Sequence, residues 1–312
     1  MNQVVITCER FTTALDFYTD SLGFRIESIF PADAPRRATL SGHGLSLELR
    51  QAGPIDTRDR SGSGGLVVTR LEEGSFSAGR AGMQYRDLVP DRFGGQVIAS
   101  HIRIPTGGPV PDYVHHHDVR FQMIFCISGW VRVAYEDQGE PMRMQAGDCF
   151  LQPPHIRHRV LECSDAMEVI EIASPAEHET AVDHDMELPT GRVDESREYG
   201  GQQFVFSEAR KANWLRSDVP GLDYRNLGIA AATRGAASVV VLRSRGSCAK
   251  VSLRHESPFR FLYVLAGAAT LADGDVNSLS VGTACAIPAG LACALQDISA
   301  DFECLDVMLR SG

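Results

Sequence analysis

The stretch His115-His116-His117-Asp118-Val119-Arg120-Phe121-Gln122 and the later stretch Gly147-Asp148-Cys149-Phe150-Leu151-Gln152-Pro153-Pro154-His155-Ile156-Arg157-His158 determine the fold that we predict. Alternate residues of a β-strand point to the same face, so His115 and His117 share a face while His116 points away. Two imidazoles on one face can bind one divalent ion. His158 supplies a third imidazole after a glycine turn, a short strand and a proline turn, so the pattern predicts a metal site.

These two stretches resemble the two sequence motifs of the cupin superfamily, a large group of jelly-roll proteins. The resemblance implies that His115, His117 and His158 are metal ligands, and it places Gln122 where the family has a ligand glutamate. We therefore include Gln122 as the fourth candidate ligand. His155 stands where the second motif has a glycine. His116 and His155 are expected to point outward or to support the ligands.

A repeat covers the larger, C-terminal part of the chain. Tyr85-Arg86-Asp87-Leu88 recurs as Tyr224-Arg225-Asn226-Leu227, and the spacing Gly147–Pro153 recurs as Gly282–Pro288. Gly129 likewise recurs as Gly267. We therefore expect two copies of one domain, fused as a bicupin that buries apolar faces between the copies.

The second copy lacks the ligand pattern of the first. The positions aligned with His115, His117, Gln122 and His158 carry Leu253, His255, Arg260 and Cys293. An arginine places a cation where a metal needs a donor, so we predict that the second copy is metal-free.

Short Val/Ile/Leu-rich runs separated by Gly, Pro and Asp turns favour a mainly β protein with two tandem jelly-roll barrels. The first 50 residues instead show the pattern of a small α+β module, and their helix, around Ala14–Phe24, resembles the opening helix of the glyoxalase/bleomycin-resistance (vicinal oxygen chelate) family. That fold needs two βαβββ modules, and the sequence shows one. The predicted domains are the half-module (1–50), a linker (51–82), the metal-binding cupin (83–176), an acidic connector (177–200) and the degenerate cupin (201–312).

Composition excludes several classes of function. The net charge of −10 and a pI near 5.5 argue against nucleic acid or an anionic membrane as a partner. No apolar run is long enough to span a membrane, and no signal peptide pattern opens the chain. The eight cysteines form no C-x-x-C pair, which is typical of reduced cytoplasmic thiols. We expect a cytoplasmic protein.

The predicted function follows from the charge of the ligands. Three neutral imidazoles leave the positive charge of a divalent ion uncompensated. This charge favours a small anionic substrate that chelates the ion. We expect one divalent transition metal per chain, with Fe(II) favoured over Zn, Ni, Mn or Cu. A metal held by neutral ligands resembles the centres of cupin dioxygenases, and this resemblance implies a cupin-type dioxygenase of a small aromatic or carbonyl compound. The alternatives are a Lewis-acid isomerase or decarboxylase, or a non-enzymatic metal-dependent binding protein.

The sequence identifies no catalytic acid or base. Candidate substrate-binding residues surround the predicted site; they are Arg103, Tyr113, Ile124, Cys126, Arg132, Phe150 and Val160. We also expect a homodimer, because an incomplete vicinal-oxygen-chelate half would leave a sheet edge and face for a second copy to cover.

Overall fold

The computed structural model describes residues 3–53, 65–78, 82–246 and 250–310. Most of the Gly/Ser-rich stretch at residues 61–65, and Cys248, lie outside the described residues. None of the described helices is long and apolar enough to cross a membrane.

The N-terminal module has the order β-α-β-β-β. Its helix places Phe11, Ala14, Leu15 and Tyr18 on one face, as their helical spacing predicts, and this face packs against Leu40 and other apolar residues of the sheet. The order across the sheet is β1-β4-β3-β2, with β1 parallel to β4. The elements are β1 (Val4–Cys8), α1 (Phe11–Asp16), a π-helical turn (Phe17–Ser21), β2 (Arg25–Phe30), β3 (Arg37–Gly42) and β4 (Leu45–Gln51).

Two facing sheets form the first jelly-roll unit. The outer sheet has the order β17-β10-β15-β12-β13, with β9 beside β15, and the inner sheet has the order β20-β14-β11-β16-β8-β7-β6. The elements from residue 65 onward are β5 (Val67–Thr69), a 3-10 helix (Leu71–Glu73), β6 (Ser77–Ala78), β7 (Gln84–Asp87), α2 (Arg92–Gly95), β8 (Ile98–Ile104), β9 (Gly108–Pro109), β10 (His115–His117), β11 (Phe121–Ser128), β12 (Trp130–Tyr135), β13 (Met142–Gln145), β14 (Cys149–Leu151), β15 (His158–Cys163), β16 (Met167–Ser174), β17 (Thr180–Val182), β18 (Glu198–Tyr199), β19 (Gln202–Gln203) and β20 (Val205–Ser207).

The second unit repeats this arrangement. Its larger sheet has the order β21-β22-β23-β30-β25-β28-β5, and its smaller sheet has the order β24-β29-β26-β27. The elements are a 3-10 helix (Ala209–Lys211), β21 (Leu215–Arg216), β22 (Leu222–Asn226), α3 (Ile229–Ala232), β23 (Ala237–Ser244), β24 (Val251–Ser252), β25 (Phe259–Ala266), β26 (Ala268–Ala272), β27 (Val276–Ser280), β28 (Ala284–Pro288), β29 (Ala294–Gln296) and β30 (Glu303–Leu309).

The inner sheet of the first unit packs against the larger sheet of the second. Strand β11 carries apolar residues on both of its faces. Phe121, Met123 and Phe125 face the second unit, whereas Ile124 and Cys126 face the interior of their own unit. A strand covered on both faces favours apolar residues at successive positions, and Gln122 is the buried polar exception. The predicted burial of apolar faces between the two copies is therefore observed.

The two units also exchange a strand each. β5 precedes the first unit in the chain but pairs with β28 of the second, and β20 precedes the second unit but pairs with β14 of the first. The segment predicted as a linker, 51–82, thus contributes a strand to the second unit and, through β6, a strand to the first.

The first part of the acidic segment 177–200 is not the solvated connector that its charge predicted, whereas most residues from 184 to 198 are exposed. It supplies β17, which pairs with β10 on one side and with β2 on the other. His178 and Thr180 are buried, and arginines pair with Glu177 and Asp183. Glu177, Glu179 and Asp183 pair with arginines from other segments, and a sequence pattern taken alone does not reveal those partners.

Candidate metal centre

Two antiparallel strands position the three histidines. His115 and His117 point inward from β10, and His116 between them points outward against His155. His158 begins β15 directly opposite His115 in the strand pairing. The candidate ligand atoms of His115, His117 and His158 all lie within 4.8 Å of one another, and the three side chains are at most 8% exposed. The structure therefore brings together the three predicted histidine ligands.

Hydrogen bonds at Nδ1 orient each imidazole. His115 Nδ1 lies 2.8 Å from the Tyr113 carbonyl oxygen, and His158 Nδ1 lies 3.0 Å from the Ile156 carbonyl oxygen. His117 Nδ1 lies 2.8 Å from the Thr180 hydroxyl, which the strand pairing places beside it. Carbonyl oxygens only accept, so His115 and His158 carry their protons on Nδ1 and their lone pairs on Nε2. Such contacts fix the tautomer and orientation that metal binding needs.

The histidines line a cavity of about 120 Å³ between the two sheets of the first unit. An apolar cavity of about 150 Å³ holds one benzene molecule, so this space suits a compact ligand. Apolar side chains form most of the wall, among them Ile102, Ile124, Val133, Phe150, Val160 and Val169.

Two hydrogen-bonded polar residues, Gln122 and Glu171, lie in this otherwise apolar wall. The Gln122 amide nitrogen donates to a carboxylate oxygen of Glu171 at 2.6 Å, and both residues line the cavity. Glu171 lies on β16, whose alternate residues Met167 and Val169 also face inward. The Glu171 carboxylate is not one of the candidate ligand groups whose atoms lie within 4.8 Å of one another. It lines the same cavity as the histidines, where it can act on a molecule bound to them.

Comparison with known proteins agrees with this geometry. Residues 100–173, which contain β10, β11, β14 and β15, match the cupin domain. The protein has a bicupin fold. No curated protein sequence matches the chain.

Solved structures support the bicupin assignment over both units. Protein YlbA of Escherichia coli is 11% identical, with a TM-score of 0.57 over 79% of this chain and 91% of that one. Oxalate decarboxylase of Bacillus subtilis is 11% identical, with a TM-score of 0.57 over 84% and 79%. A variant of salicylate 1,2-dioxygenase of Pseudoaminobacter salicylatoxidans is 16% identical, with a TM-score of 0.52 over 69% and 70%. Identities this low establish the fold alone.

The predicted substrate-binding residues of the bicupin separate into two groups. Ile124, Phe150 and Val160 line the cavity beside the histidines, as does the candidate ligand Gln122. The other four predicted residues do not line it; they are Arg103, Tyr113, Cys126 and Arg132.

Arg103 points away from the metal site, because it occupies an outward position of β8; its guanidinium contacts Gln84 and lies 3.8 Å from the centre of the Phe76 ring. Arg132 also points away and pairs with Glu162 at 3.0 Å on the surface. The structure therefore corrects the placement predicted for both arginines, since strand parity turns them outward.

Tyr113 lies beside His115 and Cys126 lies in the apolar core of the first unit, and neither lines the cavity. Tyr113 is 38% exposed and orients His115 through its backbone carbonyl oxygen. Cys126 lies deeper in the apolar interior, its thiol hydrogen-bonds the Ser128 carbonyl oxygen at 3.4 Å, and burial raises its pKa to about 12.

Several residues of the cavity were missed from the sequence. Glu171 was detectable, since a carboxylate at an inward position of a predicted strand stands out from its apolar neighbours. His178, which lies in the segment predicted as an acidic connector, is buried, and its ring stands perpendicular to that of His117 with centroids 5.5 Å apart. His178 lines the cavity only because β17 pairs with β10, and no local pattern indicates this.

The second unit has an ion pair at the corresponding place. Arg260, aligned with Gln122, makes two bonds of 3.0 and 2.6 Å with the carboxylate of Asp306. Asp306 lies on β30, which corresponds to β16, so this pair repeats the Gln122–Glu171 pair with a cation in place of the amide. Leu253, Leu271 and Leu295 fill the surrounding interior. This packing supports the prediction that the second unit is metal-free, and the prediction awaits measurement.

Proposed function

We propose that the protein is a metal-dependent enzyme, a cupin-type Fe(II) dioxygenase that acts on a small anionic aromatic or carbonyl compound able to chelate the ion. The observation that carries this proposal is the set of three buried, pre-oriented imidazoles on one wall of a small and otherwise largely apolar cavity. Imidazole ligands suit Fe(II), and also Zn, Ni, Mn or Cu, so metal identity is part of the proposal.

Residues of the first unit would hold the ion and enclose the substrate. His115, His117 and His158 would hold one divalent ion, and that ion, as Fe(II), would supply the redox chemistry with O₂. Gln122 is the candidate fourth ligand through its amide oxygen, since its nitrogen is bound to Glu171. The apolar wall excludes bulk water and strengthens the attraction between the ion and an anionic substrate.

Glu171 favours a second candidate function, a Lewis-acid decarboxylase or isomerase. A carboxylate lining the cavity can accept a proton from a substrate held at the histidines, or return one to it. Such chemistry needs no O₂. A third candidate, a binding protein without turnover, would use the same cavity.

Oxygen consumption separates these functions. The chain would be loaded with Fe(II) and offered a panel of β-diketones, dihydroxy-aromatics and hydroxy acids, with O₂ uptake and product masses recorded. We expect O₂ uptake with products whose combined mass exceeds that of the substrate by two oxygen atoms, and no uptake in His117→Ala. Product formation without O₂ would favour the decarboxylase or isomerase. Tight binding of a panel member without any product would favour the binding protein.

We also propose that the protein is a homodimer. Val4 and Val5 on the edge strand β1, and Leu45 at the start of the neighbouring strand β4, are about half exposed. A second copy covering this edge would remove the apolar surface from water. Sedimentation should give twice the chain mass, and Val5→Glu should shift the protein towards monomer. A wild-type chain sedimenting as a monomer at micromolar concentration would contradict this.

Finally, we propose a cytoplasmic location. The seven cysteines among the described residues are free, and six of them are buried. Burial raises the pKa of thiols such as Cys285, to about 12, which keeps them protonated and unreactive.

A further inference from the structure

The N-terminal module continues the sheet that carries the metal ligands. β2 pairs with β17, and β17 pairs with β10, so Ile29, Thr180 and His117 form one row across three neighbouring strands. With strands about 4.8 Å apart, β2 runs roughly 10 Å from the histidine strand. The chain that leaves β2 then enters the loop 31–36, and Ala32 and Asp33 of this loop line the same cavity as His117.

Three contacts hold this loop against the first unit. The backbone N–H of Ala32 donates to the His178 carbonyl oxygen at 3.1 Å. The Arg36 guanidinium makes two bonds to the Glu177 carboxylate, at 3.2 and 2.9 Å. These two contacts tie the loop to the segment before β17, on the side of the cavity where His178 lies.

The third contact reaches the other sheet. Asp33 accepts a 2.7 Å hydrogen bond from Arg92, which lies in the turn between β7 and β8. Arg92 also approaches Asp87 at 3.4 Å. The loop is thus fixed to both sheets of the first unit, and it spans the space between them beside the histidines.

We propose that the loop 31–36 is the outer wall of the metal cavity, held closed by the Asp33–Arg92 pair, and that it limits the size of the molecule that reaches the histidines. Ala32 determines how far a ligand can extend towards the loop, which makes it a specificity-determining residue. The inference rests on the proposed function only in assuming that a substrate binds at the histidines. The substrate class it implies is a compact bidentate anion without a bulky extension.

Four variants of the full-length chain test the wall. Asp33→Ala and Arg92→Gln release the pair, and Ala32→Phe fills the cavity behind the loop. Asp20→Ala is the matched control, because it removes a carboxylate from an exposed position of the same module.

The first readout needs no metal. Carbethoxylation of histidines by diethyl pyrocarbonate is followed by mass spectrometry in chelator-treated protein, with exposed His155 as the reference and His101, buried elsewhere, as the monitor of general loosening. We expect at least a five-fold faster modification of His117 and His178 in Asp33→Ala and Arg92→Gln. Ala32→Phe should slow it, and Asp20→Ala should leave it unchanged. Unchanged rates at these histidines in Asp33→Ala, or an equal rise at His101, would overturn the proposal.

The second readout measures size selection. Acetohydroxamate and the larger benzohydroxamate are titrated into Co²⁺-loaded protein, with visible absorption as the signal. Relative to acetohydroxamate, benzohydroxamate should gain at least ten-fold in affinity when the pair is released and lose affinity in Ala32→Phe. An unchanged ratio would overturn the specificity claim. If wild-type protein fails to take up Co²⁺, the proposed function is wrong. The carbethoxylation rates still show whether the loop 31–36 closes the cavity.

Discussion

At the scale of single residues, Glu171 changes the charge balance of the metal centre. Three neutral imidazoles would leave a divalent ion with two uncompensated charges, but a carboxylate on the same cavity wall offsets one of them. In the second unit the equivalent Asp306 is neutralised by Arg260, whereas the amide of Gln122 cannot neutralise Glu171. A bound cation would pair with this partly buried carboxylate. If an ion binds at the three histidines, the remaining single positive charge would favour a monoanionic substrate.

Gln122→Glu tests this balance. The substitution places a second carboxylate against Glu171, and two such charges at about 4 Å repel by about 4 kcal/mol at an effective dielectric of 20. We expect the metal-free variant to melt at a lower temperature than wild type and to gain more stability from Co²⁺. Thermal unfolding with and without the ion measures both effects. Gln145→Glu, exposed on β13, is the control, and an equal metal-dependent gain in Gln122→Glu and wild type would contradict the account.

We expect His101 to make the stability of the protein depend on pH. Burial lowers its pKa, with Arg86 and Arg103 acting in the same direction and Glu168, 2.7 Å away, opposing them. The folded pKa thus lies below the unfolded value of about 6.5. The contribution of this histidine is fully present above about pH 6.5 and is lost as the pH falls through the folded pKa, because the unfolded chain takes up the proton more readily.

We therefore expect the free energy of unfolding to fall between pH 7.5 and pH 5.5, and to fall less in His101→Gln. Urea unfolding at both values measures the difference, with the exposed His43 replaced by Gln as the control. A pH dependence in His101→Gln as steep as that of wild type would show that another group controls it.

At the scale of elements, the repeated Tyr-Arg dipeptide joins the two units reciprocally. Arg86 on β7 is fully buried and donates to the Gly282 carbonyl oxygen at 3.1 Å, while Arg225 on β22 donates to the Gly147 carbonyl oxygen at 2.8 Å. Gly147 and Gly282 are themselves equivalent positions of the repeat. In each unit, the arginine of this dipeptide thus binds the equivalent glycine turn of the other unit.

Replacing these arginines with methionine keeps most of the volume and removes the donors. We expect Arg86→Met and Arg225→Met each to lower the free energy of unfolding by about 1–3 kcal/mol for every carbonyl oxygen left without a donor. Arg234→Met on the surface should change it by less than about 0.5 kcal/mol. Chemical denaturation measures all three, and arginine variants as stable as Arg234→Met would contradict the reciprocal contact.

Elements with a local pattern were predicted well. The βαβββ order of the N-terminal module follows from the helical spacing after Phe11 and from the short strands that come next, whereas its resemblance to vicinal-oxygen-chelate proteins stays a prediction. Gly129 and Gly267 stood out in the repeat, and both adopt a positive φ at the turn after β11 or β25, where a Cβ would collide with Ser164 or Ser299. The exchange of β5 and β20 was not predictable, because short strands carry no signal for the sheet they join.

At the scale of the whole molecule, the site depends on three parts of the chain. The histidine motif, with its period of two and its resemblance to cupins, predicted the ligands of the first unit. The remaining wall comes from the segment 177–182 and from the loop 31–36, which reach the site through sheet pairing between distant segments. The acidic charge of segment 177–182 predicted a solvated connector, and no pattern in loop 31–36 indicated a role at the site. Tertiary pairing, rather than local sequence, completes the cavity.

The metal content of the protein shows directly whether His115, His117 and His158 form a single metal site in the first unit. The full-length chain is loaded with Fe(II) without oxygen, desalted, and analysed for metal and protein together with His117→Ala and Cys293→Ala. We expect about one ion per chain in wild type and in Cys293→Ala, because the second unit has Arg260 where a ligand would stand, and close to none in His117→Ala. Two ions per chain, or an ion retained in His117→Ala and lost in Cys293→Ala, would contradict this expectation.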